Sequence, residues 1–191
     1  MRCFIAIDID RSVEQELAEL QQKLAGAVDI RKGDAKWVRP DAIHLTLKFL
    51  GEIKDKDAVD VCNAAKLVAS RHEGFEIEIA TVGHFGGRSA RVLWVGAGLD
   101  CEPLAALHDN LEGELETIGF AREGRKFSGH LTLCRIRNAK AGFKLAQLAE
   151  QYKDYDLGGI RAGAICVYQS QLTPNGPVYT LLGKYPMGPV Q

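Results

Sequence analysis

Charge of one sign is what this sequence lacks first. Its 24 Lys and Arg nearly cancel its 25 Asp and Glu, leaving a formal net charge of −1. No global field draws in a polyanion, so any nucleic acid must be held by a local patch. Cysteine is sparse and unpaired. Cys3, Cys62, Cys101, Cys134 and Cys166 lie far apart, odd in number and without a C-x-x-C pair, which reads as reduced cytosolic thiols rather than a disulfide framework. Long apolar runs are missing too. Asp8 interrupts the apolar start before a secretory segment could form, and no stretch approaches the roughly 18 apolar residues of a membrane span. A cytoplasmic protein that neither enters nor crosses a membrane is expected.

With 46% hydrophobic and 26% charged residues, the composition excludes a disordered, collagen-like or coiled-coil chain. The 191 residues fit a single domain spanning 1–191, or two small lobes sharing a boundary, with no low-complexity tract or Pro-rich linker. At this size folding buries roughly 70% of the unfolded surface, so no metal or disulfide is needed for stability.

Alternation over residues 3–9 predicts a strand. Val13, Leu17, Leu20 and Leu24 predict a helix opened by a Ser12/Gln15 capping box and closed at Gly26. Trp37 to Asp41 reads as a turn approach, Ile43 to Leu50 as a strand ending at Gly51, and 55–70 as a helix. Phe75, Ile77, Ile79 and Thr81 share a strand face, Gly83 to Gly87 read as a loop, and 90–97 as a strand. Leu104, Leu107, Leu111, Leu115 and Ile118 mark a helix closed by Gly119. A second histidine-bearing strand occupies 129–136, and a shorter helix carries Leu145 and Leu148. Residues 165–172 and 178–182 flank Thr173 to Pro177 as a hairpin. Interleaved elements with a hairpin and short connections point to an α+β fold rather than a doubly wound parallel sheet.

One tetrapeptide carries the chemistry: His44-Leu45-Thr46-Leu47 recurs as His130-Leu131-Thr132-Leu133. On a strand, His and Thr at i and i+2 share one face while both leucines go to the other. Either histidine alone reads as a structural side chain; the pair, placed comparably in two halves, reads as two imidazoles facing each other across a cleft. An unperturbed pKa of about 6.5 lets one ring work neutral and the other protonated, which suits phosphodiester chemistry. The threonine hydroxyls would donate to the non-bridging oxygens. No Asp, Glu or Cys is placed to complete a two-histidine metal site. His72, His84 and His108 lack a partner motif and receive no role.

At these residues the sequence resembles the bacterial and archaeal RNA 2′,3′-cyclic phosphodiesterases, formerly called 2′-5′ RNA ligases, of the 2H phosphoesterase superfamily. The likeness runs through Arg2 to Ile7, Trp37 to Gly51, Phe127 to Arg137, Tyr168 to Ser170 and Val178-Tyr179. It implies a bilobal, pseudo-symmetric fold with antiparallel-dominated sheets around a central cleft, helices outside and each motif on a central strand. It also implies metal-independent, cofactor-free opening of a terminal 2′,3′-cyclic phosphate to a 2′-phosphate, with reverse 2′-5′ joining as a further capability. His44 would be the proton donor to the 3′ leaving oxygen and His130 the proton acceptor from water, although two identical tetrapeptides do not themselves separate acid from base. Thr46 and Thr132 would hold the phosphate. The expected partner is an RNA with a cyclic phosphate end, met by a monomer with no obligate protein partner. Rival readings are a nucleotide or RNA-end binding module without turnover, or the same chemistry on a small cyclic nucleotide, an ADP-ribose cyclic phosphate or a 2′-5′ oligoadenylate.

The resemblance assigns a substrate-contacting arginine to Arg135, which strict alternation puts opposite His130 unless a strand end, twist or bulge intervenes. Alternation puts Lys48 on the His44 face, making it a phosphate candidate by geometry. Phe127 and Phe85 are candidates to stack a base, whereas Phe49 falls on the leucine face and is expected in the core. Gly129 stands where many relatives have proline, which predicts a less fixed backbone before His130. Arg122, Arg125, Lys126, Arg135 and Arg137 form a basic cluster, read equally as a solvated face or an RNA-backbone contact.

Overall fold

Two antiparallel sheets organise the computed structural model, which describes residues 1–174 and 176–188. The elements are β1 (Arg2–Ile7), α1 (Arg11–Gly26), β2 (Ala35–Trp37), a 3-10 turn (Pro40–Ala42), β3 (Leu45–Glu52), α2 (Asp55–Ser70) and β4 (Phe75–Phe85). They continue through β5 (Val92–Ala97), α3 (Glu102–Thr117), β6 (His130–Ile136), α4 (Ala139–Glu150), β7 (Asp156–Ala162), β8 (Ala164–Thr173) and β9 (Gly176–Pro186). One sheet has the order β3-β1-β8-β9 and the other β2-β6-β5-β4-β7. The α+β architecture is the one expected, and the β8–β9 hairpin forms; Asn175, inside its expected turn, lies outside the described residues.

The two halves repeat one order of elements, β1-α1-β3 and β5-α3-β6, with each motif strand antiparallel to the strand before its helix. The helices are exchanged. α1 follows a strand of the first sheet but packs at the second, where the buried Gln21 amide donates to the carbonyls of Val38 (2.8 Å) and Leu133 (2.9 Å). α3 follows a strand of the second sheet and packs on α2, which covers β8 and β9 of the first. Leu17, Leu20 and Leu24 of α1 and Leu104, Leu107, Leu111 and Leu115 of α3 are fully buried, each worth about 1.5–3 kcal/mol against exposure. All five cysteines are free, and no helix among the described residues is long and apolar enough to cross a membrane.

Several local expectations give way to packing. α1 is capped at Asp10, in extended conformation and without a side-chain cap bond; Ser12 lies within the first helical turn and cannot cap it. Gly26 is the last helical residue, and Ala27 continues right-handed, so no left-handed closure occurs there. β4 runs through Gly83 and His84 to Phe85, because Gly83 is a close-approach glycine: a Cβ there would overlap the Trp94 indole. Trp37 belongs to a short strand, and β7 has no counterpart in the expected elements. The motif strands are not central. β3 is an edge, and β6 has only three-residue β2 outside it.

Each motif strand carries an extra residue just after its threonine, and β3 carries a second at Leu50. Ala6 pairs with Thr46 and Ile5 with Lys48, leaving Leu47 unmatched; Trp94 pairs with Thr132 and Leu93 with Cys134, leaving Leu133 unmatched. A bulge reverses the facing of the residues beyond it, up to any second bulge. Lys48 and Cys134 therefore turn into the core, and Phe49 and Arg135 turn outward.

Gly129 is held rather than loose. Ala97 donates its amide to the Gly129 carbonyl at 3.0 Å, and a Cβ on residue 129 would collide with the Ala97 carbonyl. Gly129→Ala is expected to lower the unfolding free energy by about 1–3 kcal/mol in urea denaturation. An unchanged midpoint would contradict this account of the entry to β6.

Candidate active site

A cleft of about 640 Å³ lies between the sheets and is lined by both motifs: His44, Thr46 and Phe49 from one half, His130, Thr132 and Arg135 from the other. The bulges put the last member of each triplet there. His44 precedes β3, its ring stacked on Phe4 with centroids 4.5 Å apart and meeting Tyr179 edge-on at 5.3 Å. Phe4 stacks in turn on Tyr168 at 5.3 Å. Behind this stack the Asp8 carboxylate accepts from the Tyr168 hydroxyl at 2.7 Å and from the Cys166 thiol and Lys184 ammonium at 3.3 Å.

His130 is framed differently, edge-on to Phe85 at 5.0 Å and beside Trp94 at 6.4 Å. Its Nδ1 lies 2.8 Å from the Ser128 carbonyl. A carbonyl only accepts, so Nδ1 carries the hydrogen and Nε2 is left for chemistry. The Ala42 backbone, two residues before His44, likewise favours the protonated form of that ring.

Burial drives the His44 pKa from 6.5 down to about 4; Asp8 and the Ala42 bond oppose the shift, and Arg135 adds to it. Burial raises the Tyr179 pKa, against the pull of Arg135, Arg39 and Arg2. The cleft wall carries Arg2, Lys36, Arg39, Arg135 and Arg137 and no Asp or Glu. An almost neutral chain thus concentrates positive charge where an anion would sit. Among the described residues no three His, Cys, Asp or Glu side chains gather as a metal-binding group.

Of the residues singled out in the sequence, His44, Thr46, His130, Thr132, Arg135 and Phe85 meet in the cleft. Lys48 does not. The bulge at Leu47 buries it to 4% exposure against Glu112, so it is no phosphate ligand. Phe127 does not either; it packs against the core and stacks on His108 at 4.1 Å. Phe49, expected in the core, is 57% exposed and lines the cleft. The basic cluster divides: Arg135 and Arg137 reach the cleft, whereas Arg122 is held by Asp109 and Glu116. Phe4, Tyr179, Arg2, Lys36 and Arg39 were not anticipated. The signal that could have found Phe49 is its position five residues after His44, matching Arg135 five after His130.

The depressed His44 pKa makes stability pH-dependent. Between 6.5 and 4 the unfolded chain takes up a proton that the folded chain refuses, so the stability is complete above 6.5 and is lost as the pH falls toward 4. At pH 5 the loss amounts to about 2 kcal/mol. Urea denaturation at pH 7.5 and 5 should show it in the wild type, with His44→Gln losing correspondingly less. Equal losses would mean that His44 titrates normally.

The chain matches the family described as LigT like Phosphoesterase over residues 7–94 and 100–179. A Methanocaldococcus jannaschii protein named RNA 2′,3′-cyclic phosphodiesterase is 32% identical over 186 residues, covering 97% of this chain and 100% of the relative. A Thermotoga maritima protein of the same name is 33% identical over 187 residues, covering 95% and 93%. Among solved structures, a Thermus thermophilus protein superposes with a TM-score of 0.80 at 25% identity, covering both chains fully. Escherichia coli LigT complexed with 3′-AMP shares the fold, with a TM-score of 0.73 at 23% identity over 97% of each chain. With both motifs inside the matched residues and the match running through both halves, the chain belongs to the LigT-like phosphoesterase family.

Proposed function

We propose that this protein is an RNA 2′,3′-cyclic phosphodiesterase whose two histidines act as acid and base on one phosphate. The observation that carries the reading is the convergence of two His-Thr pairs, one from each half, on a single cation-lined cleft. Relatives bearing that activity in their names supply the substrate.

Water attacks phosphorus in line with the P–O3′ bond, giving its proton to His130 Nε2. As that bond breaks, His44 gives a proton to the 3′ oxygen, and the products are a 2′-phosphate and a 3′-hydroxyl. Thr46 and Thr132 donate to the non-bridging oxygens, and the Arg135 guanidinium offsets the charge gathering there. Each proton transfer is worth about 10²- to 10⁴-fold. With a 5′-hydroxyl in place of water, its oxygen attacks the cyclic phosphorus, the P–O3′ bond breaks, and the products are a 2′-5′ phosphodiester and a 3′-hydroxyl.

Burial keeps His44 neutral at pH 7, which favours the opposite assignment, with His44 as base. The substrate changes that balance. A negative charge about 4 Å from the ring, at an effective dielectric of about 20, is worth about 4 kcal/mol or roughly three pKa units. Bound phosphate therefore raises the His44 pKa and favours the protonated ring that an acid requires.

Phosphorus NMR of a cleaved 2′,3′-cyclic nucleotide end is expected to show the 2′-phosphate; a 3′-phosphate overturns the leaving group, and binding without product overturns the enzyme reading. His44→Ala and His130→Ala should each reduce turnover by about 10²-fold or more. Replacing the 3′ bridging oxygen by sulfur makes a leaving group that needs no proton, so His44→Ala should recover and His130→Ala should not. The reverse pattern exchanges the two roles. Activity is expected to survive EDTA, and competition with small cyclic nucleotides and 2′-5′ oligoadenylates ranks the substrates.

A further inference from the structure

Lys48 and Glu112 are each only 4% exposed, and they pair behind the cleft rather than in it. Lys48 Nζ lies 2.7 Å from Glu112 Oε1 and donates to Oε2 at 2.9 Å. Their other partners belong to one segment. Lys48 donates to the Ala121 carbonyl at 2.9 Å, and Glu112 Oε2 accepts from the Glu123 amide at 2.8 Å. That segment, residues 120–129, has no helix or strand of its own and ends at His130. Nearer its end, Phe127 stacks on His108, whose Nε2 lies 3.8 Å from Glu112 Oε1. One turn of α3 thus grips both parts of the segment.

An ion pair buried this deeply contributes little stability, since desolvation offsets most of the attraction and apolar replacements are often neutral. Its contribution is geometric. Lys48 stands four residues after His44 on β3, and the segment it holds delivers His130. The motif strands belong to different sheets, and the β2–β6 ladder with its Val38–Leu133 bond ties them only upstream of His44, leaving the far side of the gap to side chains.

We propose that Lys48 and Glu112 form a latch between the halves: a positioning pair that sets the spacing of the two imidazoles by tying residues 120–129 to β3. It touches no substrate. The inference rests on the reading that His44 and His130 act on one phosphate. Proton transfer needs heavy atoms at about 2.6–3.2 Å, and a misplacement of about 1 Å can cost about 100-fold in rate, so small movements of the segment matter.

The test is Lys48→Met/Glu112→Leu, which removes both charges and leaves neither alone. Its urea midpoint should stay near wild type, while kcat falls by about tenfold or more and KM for a cyclic-phosphate-ended oligonucleotide stays within about twofold. In nitrogen-15 histidine spectra the His130 ring signals should shift and those of His44 stay. A folded double variant with wild-type kcat overturns the latch. A wild type without turnover overturns instead the two-histidine reading, which keeps the two failures apart. Should the double variant not fold, hydrogen exchange of the wild type decides: the Glu123 amide is expected to be protected like the core, and exchange at the rate of an exposed loop overturns the proposal.

Discussion

One unmatched residue just after the threonine of each motif strand decides what the cleft contains. A pleated strand presents alternate side chains to opposite faces, so an extra residue exchanges the faces for the residues that follow, up to any second bulge. Leu47 and Leu133 are those residues, and both insert leucine on the buried side. Without the bulge at Leu133, Arg135 would point into the core and Cys134 into the cleft. Without the one at Leu47, a lysine would stand where Phe49 does. The cation beside the second histidine and the aromatic ring beside the first are consequences of backbone register before they are consequences of side-chain chemistry.

The two halves are alike in plan and unlike in detail, and the difference is electrostatic. His44 is sandwiched in an aromatic stack, with Phe4 against one face and Tyr179 at its edge, and desolvation favours its neutral form. His130 meets Phe85 edge-on and is fixed by the Ser128 carbonyl through Nδ1. Identical tetrapeptides thereby acquire distinct surroundings, a basis for distinct roles. The cleft collects cations on its wall, of which Arg39 pairs with Asp41, while Asp8, behind the first histidine, is engaged by Tyr168, Cys166 and Lys184. The charge such a site lacks is that of a phosphate.

Exchange of α1 and α3 between the sheets makes the halves interdependent. Gln21 of α1 satisfies a carbonyl of β6, the second motif strand, and Glu112 of α3 meets Lys48 of β3, the first. Each motif strand is thus braced by the helix of the other half, one through an amide and one through an ion pair. That arrangement compensates for placing β3 at a sheet edge and β6 next to a three-residue strand.

The sequence by itself determined the α+β class, most element positions and the histidine and threonine pairs, because leucine periodicity and a repeated strand word are local signals. Helix α2 lies at 55–70 as expected, and α3 ends just before Gly119, whose φ of +94° suits the turn there. Local signals failed where a partner decided the outcome. Gly83 looks like a turn residue and is a strand position cleared for Trp94; Ser12 looks like a cap and is overtaken by Asp10. Lys48, Phe49 and Arg135 could not be placed by alternation, because a bulge exists only relative to the strand across from it. Tertiary structure alone decided which face each motif shows, since pairing register is a property of two strands and the motif words belong to one.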